Sequence, residues 1–321
     1  MKRSAFSKIG FSLLLIMMQV MISCNGDGSE ATSAAIRFVS VEDSKETTRA
    51  TQVTSIPSFG MSCSVYSSSA TYSTAALGNF FFNKEIVNNT DTEYIWPGSG
   101  KKCSFYGYYP YGNSYVSLKS TTSSTGKPEY SLSVPADISQ QVDFCVAEVT
   151  DMAGNYNSTV TLPFKHVCSS ISFKVKNTGV ETITLKSISF YGVKLSGTYK
   201  DGTWTLSGSA STSSSNTMTI SPNKTIAGGG TLDVSGTSDN IIIIPQTISS
   251  GVEIFDVLAT VNGADKHFTY SLPGAVAWEK GVKYTYTISI SNDMSVDLST
   301  IEDWEGSVFN GTNDIYIDNW N

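Results

Sequence analysis

The stretch "SISFKVKN", residues 170–177, decides the fold class of this chain. Its apolar residues Ile171, Phe173 and Val175 alternate with polar ones from end to end. A period of two places the apolar side chains on one face of an extended strand, whereas a helix needs a period near 3.6. The pattern therefore predicts a β-strand with one buried face.

The same alternation recurs along the chain in segments that are rich in β-branched and aromatic residues. These segments are 36–42, 103–111, 129–135, 142–149, 182–195, 240–248, 253–261 and 283–291. Turn dipeptides separate several of them, and the polar runs 207–216 and 227–230 are interpreted as loops. No amphipathic helix is evident beyond the N-terminal segment. The sequence predicts an all-β fold, and a spacing of about ten residues per strand favours sandwiches.

Length and charge narrow the class further. The 321 residues are enough for two ordinary domains, and a boundary is expected near residue 162, giving domains 36–162 and 163–321. The formal net charge is −7, and only 15% of the residues are charged. We expect no nucleic-acid partner, because the positive patch that attracts phosphate is missing.

The N-terminus has the features of an export signal. A basic start is followed by the apolar run 9–22, and the last two residues of this run begin "MISC", which ends at Cys24. This ending resembles the lipobox of bacterial lipoproteins, which implies a signal peptide over 1–23, lipidation at Cys24 and a flexible tether over 24–35. A lipid anchor would hold the chain at the outer membrane. The alternative is an ordinary signal peptide with an incidental cysteine.

No catalytic or metal-binding set is recognisable from spacing. The four other cysteines form no C-x-x-C pair, and they are either disulfides of an exported protein or, as we favour, small apolar core residues. They are Cys63, Cys103, Cys145 and Cys168. His166 and His267 have no cysteine or carboxylate at a ligand spacing and are interpreted as sheet residues. We therefore expect no enzyme activity, no cofactor and no metal.

Two aromatic clusters admit two interpretations. Residues 80–82 are three phenylalanines, and Tyr106, Tyr108, Tyr109 and Tyr111 follow in the next strand. Such rings can stack on sugars, but they more often fill a sandwich core or form cross-strand pairs, which is the interpretation we favour.

Several stretches, taken in order, resemble the fimbrillin family of Bacteroides-type bacteria, the Mfa-like fimbrial subunits. They are "MISC" (21–24), "IRFVSVE" (36–42) followed by "TTRAT" (47–51), "YIWPGSGKKCSFYGYYPYG" (94–112), "VDFCVAEV" (142–149), "LPFKHVCSSISFKVKN" (162–177), "WEKGVKYTYTISI" (278–290) and "IEDWEG" (301–306). The resemblance implies two transthyretin-like Greek-key β-sandwich domains in tandem. It also implies polymerisation by donor-strand exchange after an extracellular protease cuts at an arginine near the N-terminus.

The arginines fit that implied mechanism. The chain has Arg3, Arg37 and Arg49 and no arginine after them. An Arg-specific protease would cut between Arg49 and Ala50 and release segment 36–49, whose strand residues include Ile36, Phe38, Val39 and Val41. The later part of the chain would stay uncut. Alternatively, Arg49 is an incidental charge in a solvated tether.

The donor strand is expected at the other end of the chain. Segment 307–321 contains an alternating run with Ile315, Tyr316, Ile317 and Trp320. This segment could be inserted into a neighbouring subunit, or it could close the second sandwich as its edge strand.

The resemblance implies a structural subunit or tip adhesin of a cell-surface fimbrium. Its partners would be other fimbrial subunits, an Arg-specific protease, the outer membrane and, for a tip, a surface glycan or protein. The alternative is a monomeric glycan-binding surface lipoprotein of a polysaccharide-uptake system, which would need an ordered, exposed platform of aromatic side chains.

Overall fold

The predicted all-β class is confirmed. The computed structural model describes residues 34–42, 51–52, 56–234 and 240–303. Within these ranges the regular structure consists of strands and two single-turn 3-10 helices, Tyr72–Thr74 and Ile138–Gln140. No helix in these ranges is both long enough and apolar enough to cross a membrane.

The strands are numbered in chain order. Those before residue 167 are β1 (Ala35–Glu42), β2 (Thr51–Gln52), β3 (Ser58–Ser67), β4 (Phe81–Val87), β5 (Asp91–Ile95), β6 (Lys101–Tyr109), β7 (Val116–Leu118), β8 (Tyr130–Ser133), β9 (Cys145–Ala153) and β10 (Val160–His166). Those after it are β11 (Ser169–Asn177), β12 (Ile183–Phe190), β13 (Lys194–Lys200), β14 (Thr203–Ala210), β15 (Met218–Ile220), β16 (Lys224–Ile226), β17 (Thr231–Asp233), β18 (Ile241–Ile243), β19 (Gln246–Ile248), β20 (Glu253–Val261), β21 (Ala264–Ser271), β22 (Val276–Trp278), β23 (Val282–Ile290) and β24 (Met294–Asp303).

The first half of the chain folds into one eight-stranded sheet that curls around its own core. The strand order is β2-β1-β10-β9-β6-β3-β4, and β5 pairs with β1. Phe38 of β1 meets Phe105 of β6 across this core, with ring centroids 5.1 Å apart, although β10 and β9 separate the two strands in the sheet. The contact requires the sheet to fold over, and it places β1 opposite β6.

The second half is a sandwich of two five-stranded sheets. One has the order β17-β11-β23-β24 with β18 beside β11, and the other has β15-β12-β20-β21 with β16 beside β12. Phe173 of β11 contacts Phe255 of β20 edge-on at 5.5 Å, so the two sheets pack face to face. The alternating residues of 170–177 therefore have the role that their pattern predicts.

A four-stranded sheet joins strands from both sides of residue 162. Its order is β14-β13-β8-β7, and Ser131 of β8 pairs with Thr198 of β13. A buried cluster of its own, which includes Phe144 and Ile244, lies beside it. The expected division at residue 162 falls inside β10 and stays a prediction.

Three expected elements are corrected by the structure. Segment 182–195 is two strands rather than one, because Gly192 takes a φ of +80° and the chain leaves the β12 sheet to form β13. Segment 240–248 is also two strands, since Pro245 has no N–H for a ladder and β18 and β19 pair in different sheets. Residues 207–210 of the expected serine-rich loop belong to β14, which pairs with β13 from Thr203 to Ser207 and, after a register shift, again at Ala210.

The cysteines and the aromatic clusters lie where they were expected. Cys63, Cys103, Cys145 and Cys168 are buried and form no disulfide. Tyr106, Tyr108 and Tyr109 are at most 5% exposed, and Phe81 is 4% exposed. These residues fill the interior, as the core interpretation predicts, whereas Phe80, Phe82 and Tyr111 of the same clusters are only partly buried.

Candidate assembly site

Strand β1 is part of the eight-stranded sheet of the first half of the chain, and it contributes side chains to the core of that sheet. Its side chains Ile36 and Phe38 are fully buried, while Arg37 and Val39, which alternate with them, are half-buried. Ser40 and Val41 are buried as well, so the simple alternation ends there. The two inward side chains pack with residues of β3, β4, β6, β9 and β10 in a single apolar cluster. Removal of β1 would open that cluster to solvent.

Backbone pairing holds β1 on two sides. Its residues 38–42 pair in parallel with residues 160–164 of β10, and its end pairs with β2. Near its start, Ala35 and Arg37 pair antiparallel with Ile95 and Asp91 of β5. Because each half of the strand has a different main partner, β1 bridges β5 to the rest of the sheet. Without β1 these partner strands would have unpaired backbone groups.

Side chains of segment 88–92, the β4–β5 corner, add polar contacts to β1. Arg37 Nε donates to Asp91 Oδ1 at 2.8 Å, and this hydrogen bond holds the pKa of the Asp91 carboxyl below its usual value. Thr92 Oγ1 donates to the Ile36 carbonyl at 2.8 Å, and the Ser40 N–H donates to Asn88 Oδ1 at 3.0 Å. These contacts fix the register of β1 against the corner.

The sequence did not identify the corner residues Asn88, Asp91 and Thr92 as part of this site. Segment 88–92, "NNTDT", has the composition of a turn, which gives no information on the strand it will contact. β5 itself is five residues long and has no fully buried side chain. Its partner therefore could not be deduced from apolar periodicity.

The other predicted site residues lie outside the described ranges. These are Cys24, Arg49, Ala50, Ile315, Tyr316, Ile317 and Trp320. Arg49 and Ala50 belong to segment 43–50, which connects β1 to β2 in the sequence. The strand before the expected donor segment is β24, which pairs with β23 at the end of its sheet.

His166 and His267 lie in strands β10 and β21, as their interpretation as sheet residues predicts, but each also has a carboxylate partner that sequence spacing did not indicate. His166 Nδ1 lies 2.5 Å from Asp143 Oδ2 and 3.5 Å from Cys145 Sγ, and His267 Nδ1 lies 2.8 Å from Asp256 Oδ2. Their separations in sequence hid these pairs, because a β-ladder brings Cys145 directly opposite His166. Cys145 is not an activated nucleophile: it is 1% exposed, and burial raises the pKa of its thiol to about 12.

A cleft of about 320 Å³ lies beside the four-stranded sheet. Its lining includes Tyr106, Tyr130, Tyr199, Lys127 and Lys280. The three tyrosines are at most 8% exposed, so they offer little open ring surface for stacking. Among the exposed large hydrophobic side chains of the described ranges, the single aromatic is Tyr156.

The sequence model of a family described as fimbrillin-like matches residues 18–304. The chain belongs to this fimbrillin-like family. The resemblance seen in the sequence is thereby confirmed, and with it a fimbrial or adhesive role at the cell surface, together with other fimbrial subunits. A fimbrillin-like chain is a structural adhesion protein rather than an enzyme. No curated protein matches this chain.

Solved structures share the fold of this fimbrillin-like chain. A candidate cell adhesion protein from Bacteroides ovatus ATCC 8483 has a TM-score of 0.56 and 21% identity, covering 85% of this chain and 98% of its own. A second one, from Bacteroides uniformis ATCC 8492, has a TM-score of 0.51 and 18% identity, covering 85% and 99%. At such identities the likeness extends to the fold alone.

Proposed function

We propose that this chain is a lipoprotein precursor of a fimbrial subunit, of the stalk or the tip, that assembles by protease-triggered donor-strand exchange. The observation that carries the proposal is the position of β1. This strand closes an apolar core, and the segment that links it to β2 contains Arg49. One cut in that segment would separate β1 from everything that follows it in the chain.

Loss of β1 would leave an open groove between β5 and β10, with exposed apolar side chains and unpaired backbone groups. The first deficit is lost apolar burial, because Ile36 and Phe38 are removed and side chains such as Phe105 become exposed. The loss is about 2 kcal/mol for each large side chain. The backbone groups of β5 and β10 would also lose their partners. A strand donated by another subunit repairs both deficits at once, as in strand addition to other open sheets.

The covalent link explains why a cut is needed. While β1 remains attached through segment 43–50, its effective concentration at the groove far exceeds that of any donor from another chain. Cleavage after Arg49 removes this advantage and is irreversible. The bonds of β1 to β5 and to the corner remain after the cut, so release is expected to be slow unless a donor competes.

The groove sets two requirements for the donor. The donor must run parallel to β10 and antiparallel to β5, and it must present two apolar side chains followed by a small or polar one, as Ile36, Phe38 and Ser40 do. Segment 307–321 contains such a series in Ile315, Ile317 and Asn319. In this register Tyr316 takes the position of Arg37, between the two apolar residues, and Trp320 takes the position of Val41, after the series.

Lipidation at Cys24 would keep the precursor at the outer membrane until cleavage. The acyl chains supply roughly 0.8 kcal/mol per buried CH₂. The cut after Arg49 would detach the subunit from this anchor in the same step that frees the groove, which couples release to assembly.

The test is limited digestion of the purified chain with an Arg-specific protease, followed by size-exclusion chromatography and electron microscopy. Cleavage is expected after Arg49, followed by growth of oligomers. Arg37 is expected to survive, because its backbone is paired in β1. The matched control is Arg49→Lys, which keeps the charge but removes the site, so this variant should stay monomeric.

A second pair of variants tests the donor segment. Ile317→Asp should stop oligomer growth after a normal cut, because a carboxylate cannot enter the apolar groove. Asp318→Ser, on the other face of the same run, should assemble like the unmodified chain. Resistance at Arg49, or a cut product that stays monomeric and equally stable to heat, would contradict strand exchange.

The glycan-binding alternative gains little support from the described residues. It requires an exposed platform of two or three ordered aromatic rings. Among the phenylalanine, tyrosine and tryptophan side chains of the described residues, Tyr156 is the one that is exposed. The cleft beside the four-stranded sheet presents buried tyrosines instead.

A further inference from the structure

Three potential metal ligands converge at the crossover from the first half of the chain to the second. They are Asp143, just before β9, Cys145, at its first residue, and His166, at the last residue of β10. One ligand atom from each lies within 4.8 Å of the other two. All three residues are buried, with exposures of 0%, 1% and 7%. The cluster is thus shielded from bulk water and built from two adjacent strands.

The carboxylate of Asp143 is only partly satisfied by its close neighbour His166. Neither of its oxygens has a hydrogen-bond partner of normal geometry, although Oδ2 lies 2.5 Å from His166 Nδ1. Buried carboxylates are normally hydrogen-bonded, paired with good geometry or bound to a cation. A cation between the three side chains would satisfy both the carboxylate and the thiol.

The arrangement is unsuited to catalysis and suited to a metal. In a nucleophile–base–acid triad the two partners contact different nitrogens of the histidine. Here Asp143 Oδ2 and Cys145 Sγ both approach Nδ1. A single ion among the three would take Nδ1 as its histidine ligand. The separation of 3.5 Å between Sγ and Nδ1 matches two ligands about 2.3 and 2.0 Å from one tetrahedral zinc ion. The 2.5 Å between Oδ2 and Nδ1 is shorter than two ligands of one such ion allow, so the Asp143 carboxylate has to move away from the imidazole when the ion binds.

We propose that Asp143, Cys145 and His166 form a structural site for a divalent transition-metal ion, zinc in the first instance. The mixed oxygen, sulfur and nitrogen donors favour zinc over calcium or magnesium, which take oxygen ligands almost exclusively. Cys168, two residues after His166 and also buried, is the next donor along this part of the chain. A bound ion ties the start of β9 to the end of β10, next to the residues 160–164 that pair with β1.

This site goes beyond strand exchange and does not depend on it. The expectation of no metal was based on sequence spacing, and ligands on neighbouring strands have no fixed spacing. The ion would stiffen β9 and β10. Strand β10 borders the groove and has to stay folded when β1 leaves.

The test uses the purified full chain in a non-thiol reductant, first stripped with a chelator. Zinc is added at an equimolar ratio, free ion is removed by gel filtration, and the bound metal is measured by elemental analysis. We expect one zinc per chain and an unfolding temperature that rises with the logarithm of the free zinc concentration. Cobalt in place of zinc should give the absorption of a tetrahedral site with sulfur-to-cobalt charge transfer.

Ligand variants complete the test. Cys145→Ser and His166→Gln should each weaken zinc binding by at least about 10–100-fold, the loss that even outer-shell changes cause. Cys63→Ser, which removes a buried thiol outside the cluster, should bind zinc normally. Should a variant fail to fold, the stoichiometry and the cobalt spectrum of the unmodified chain still decide. The absence of bound zinc, of a thermal shift and of the charge-transfer band would show that Asp143 and His166 are a simple buried pair.

Discussion

Phe38 of β1 lies edge-on against Phe105 of β6, with 5.1 Å between ring centroids and an interplanar angle of 71°. Both side chains are fully buried. The contact links β1, the strand that we propose is released, with β6, which remains in the sheet. The stability that this contact provides is therefore a measure of how firmly β1 is held.

Phe38→Ala should lower the free energy of unfolding by about 3–5 kcal/mol, since it removes a fully buried ring and leaves a cavity. Val39→Ala is the matched control: Val39 is half-buried and lies outside the apolar cluster, so its truncation should cost less. Urea denaturation followed by tryptophan fluorescence measures both. Equal losses for the two variants would mean that β1 does not depend on the Phe38–Phe105 contact.

Gly60 of β3 is a second sensitive position. A Cβ there would lie 2.3 Å from Tyr108 Cε1 and 2.6 Å from Tyr111 Cδ2, and the Tyr108 ring is held by its hydroxyl donating to Asn83 Oδ1 at 2.8 Å. Gly60→Ala should therefore destabilise the chain by about 1–3 kcal/mol, as overpacking does. Gly274→Ala, whose Cβ would meet nothing within 4 Å, should be nearly neutral in the same thermal denaturation.

The sequence predicts elements better than it predicts their partners. The alternation in 170–177 identified β11 and its buried face, and the dipeptide 262–263 marked the hairpin between β20 and β21, where Asn262 and Gly263 both take positive φ. The shared four-stranded sheet was missed because β7 is three residues long and carries too little periodicity to read. Short strands form because of the strands beside them, and these neighbours cannot be identified from the local sequence.

The candidate assembly site shows the same limit. The apolar face of β1 could be predicted from Ile36 and Phe38, whereas its contacts with Asn88 and Asp91 could not, since these depend on where the β4–β5 corner lies in space. The cluster of Asp143, Cys145 and His166 was missed for a related reason. Cross-strand pairing sets the distance between Cys145 and His166, and their separation along the chain carries no signal.

Alkaline pH should destabilise the fold in a range set by buried tyrosines. Burial is the largest cause that raises the pKa of Tyr108, Tyr199 and Tyr286 to about 12. In the unfolded chain a tyrosine ionises near pH 10, so between about pH 10 and 12 the unfolded state binds fewer protons than the folded one. The stabilisation is therefore complete below about pH 10 and is lost as the pH rises towards about 12.

A spectrophotometric titration of tyrosinate, with circular dichroism in parallel, measures this effect. A late phase is expected that coincides with unfolding, and Tyr199→Phe should reduce its amplitude. A single phase near pH 10 with the fold intact would contradict the burial of these hydroxyl groups.

The N-terminus of the chain within assembled surface fibres tests the proposed function most directly. Mass spectrometry of fibres sheared from cells would identify the first residue of each subunit. Cleavage-triggered strand exchange predicts that the assembled chain begins at Ala50 and that segment 36–49 is missing from it. Assembled chains that begin at a lipidated Cys24 and retain segment 36–49 would contradict the release of β1.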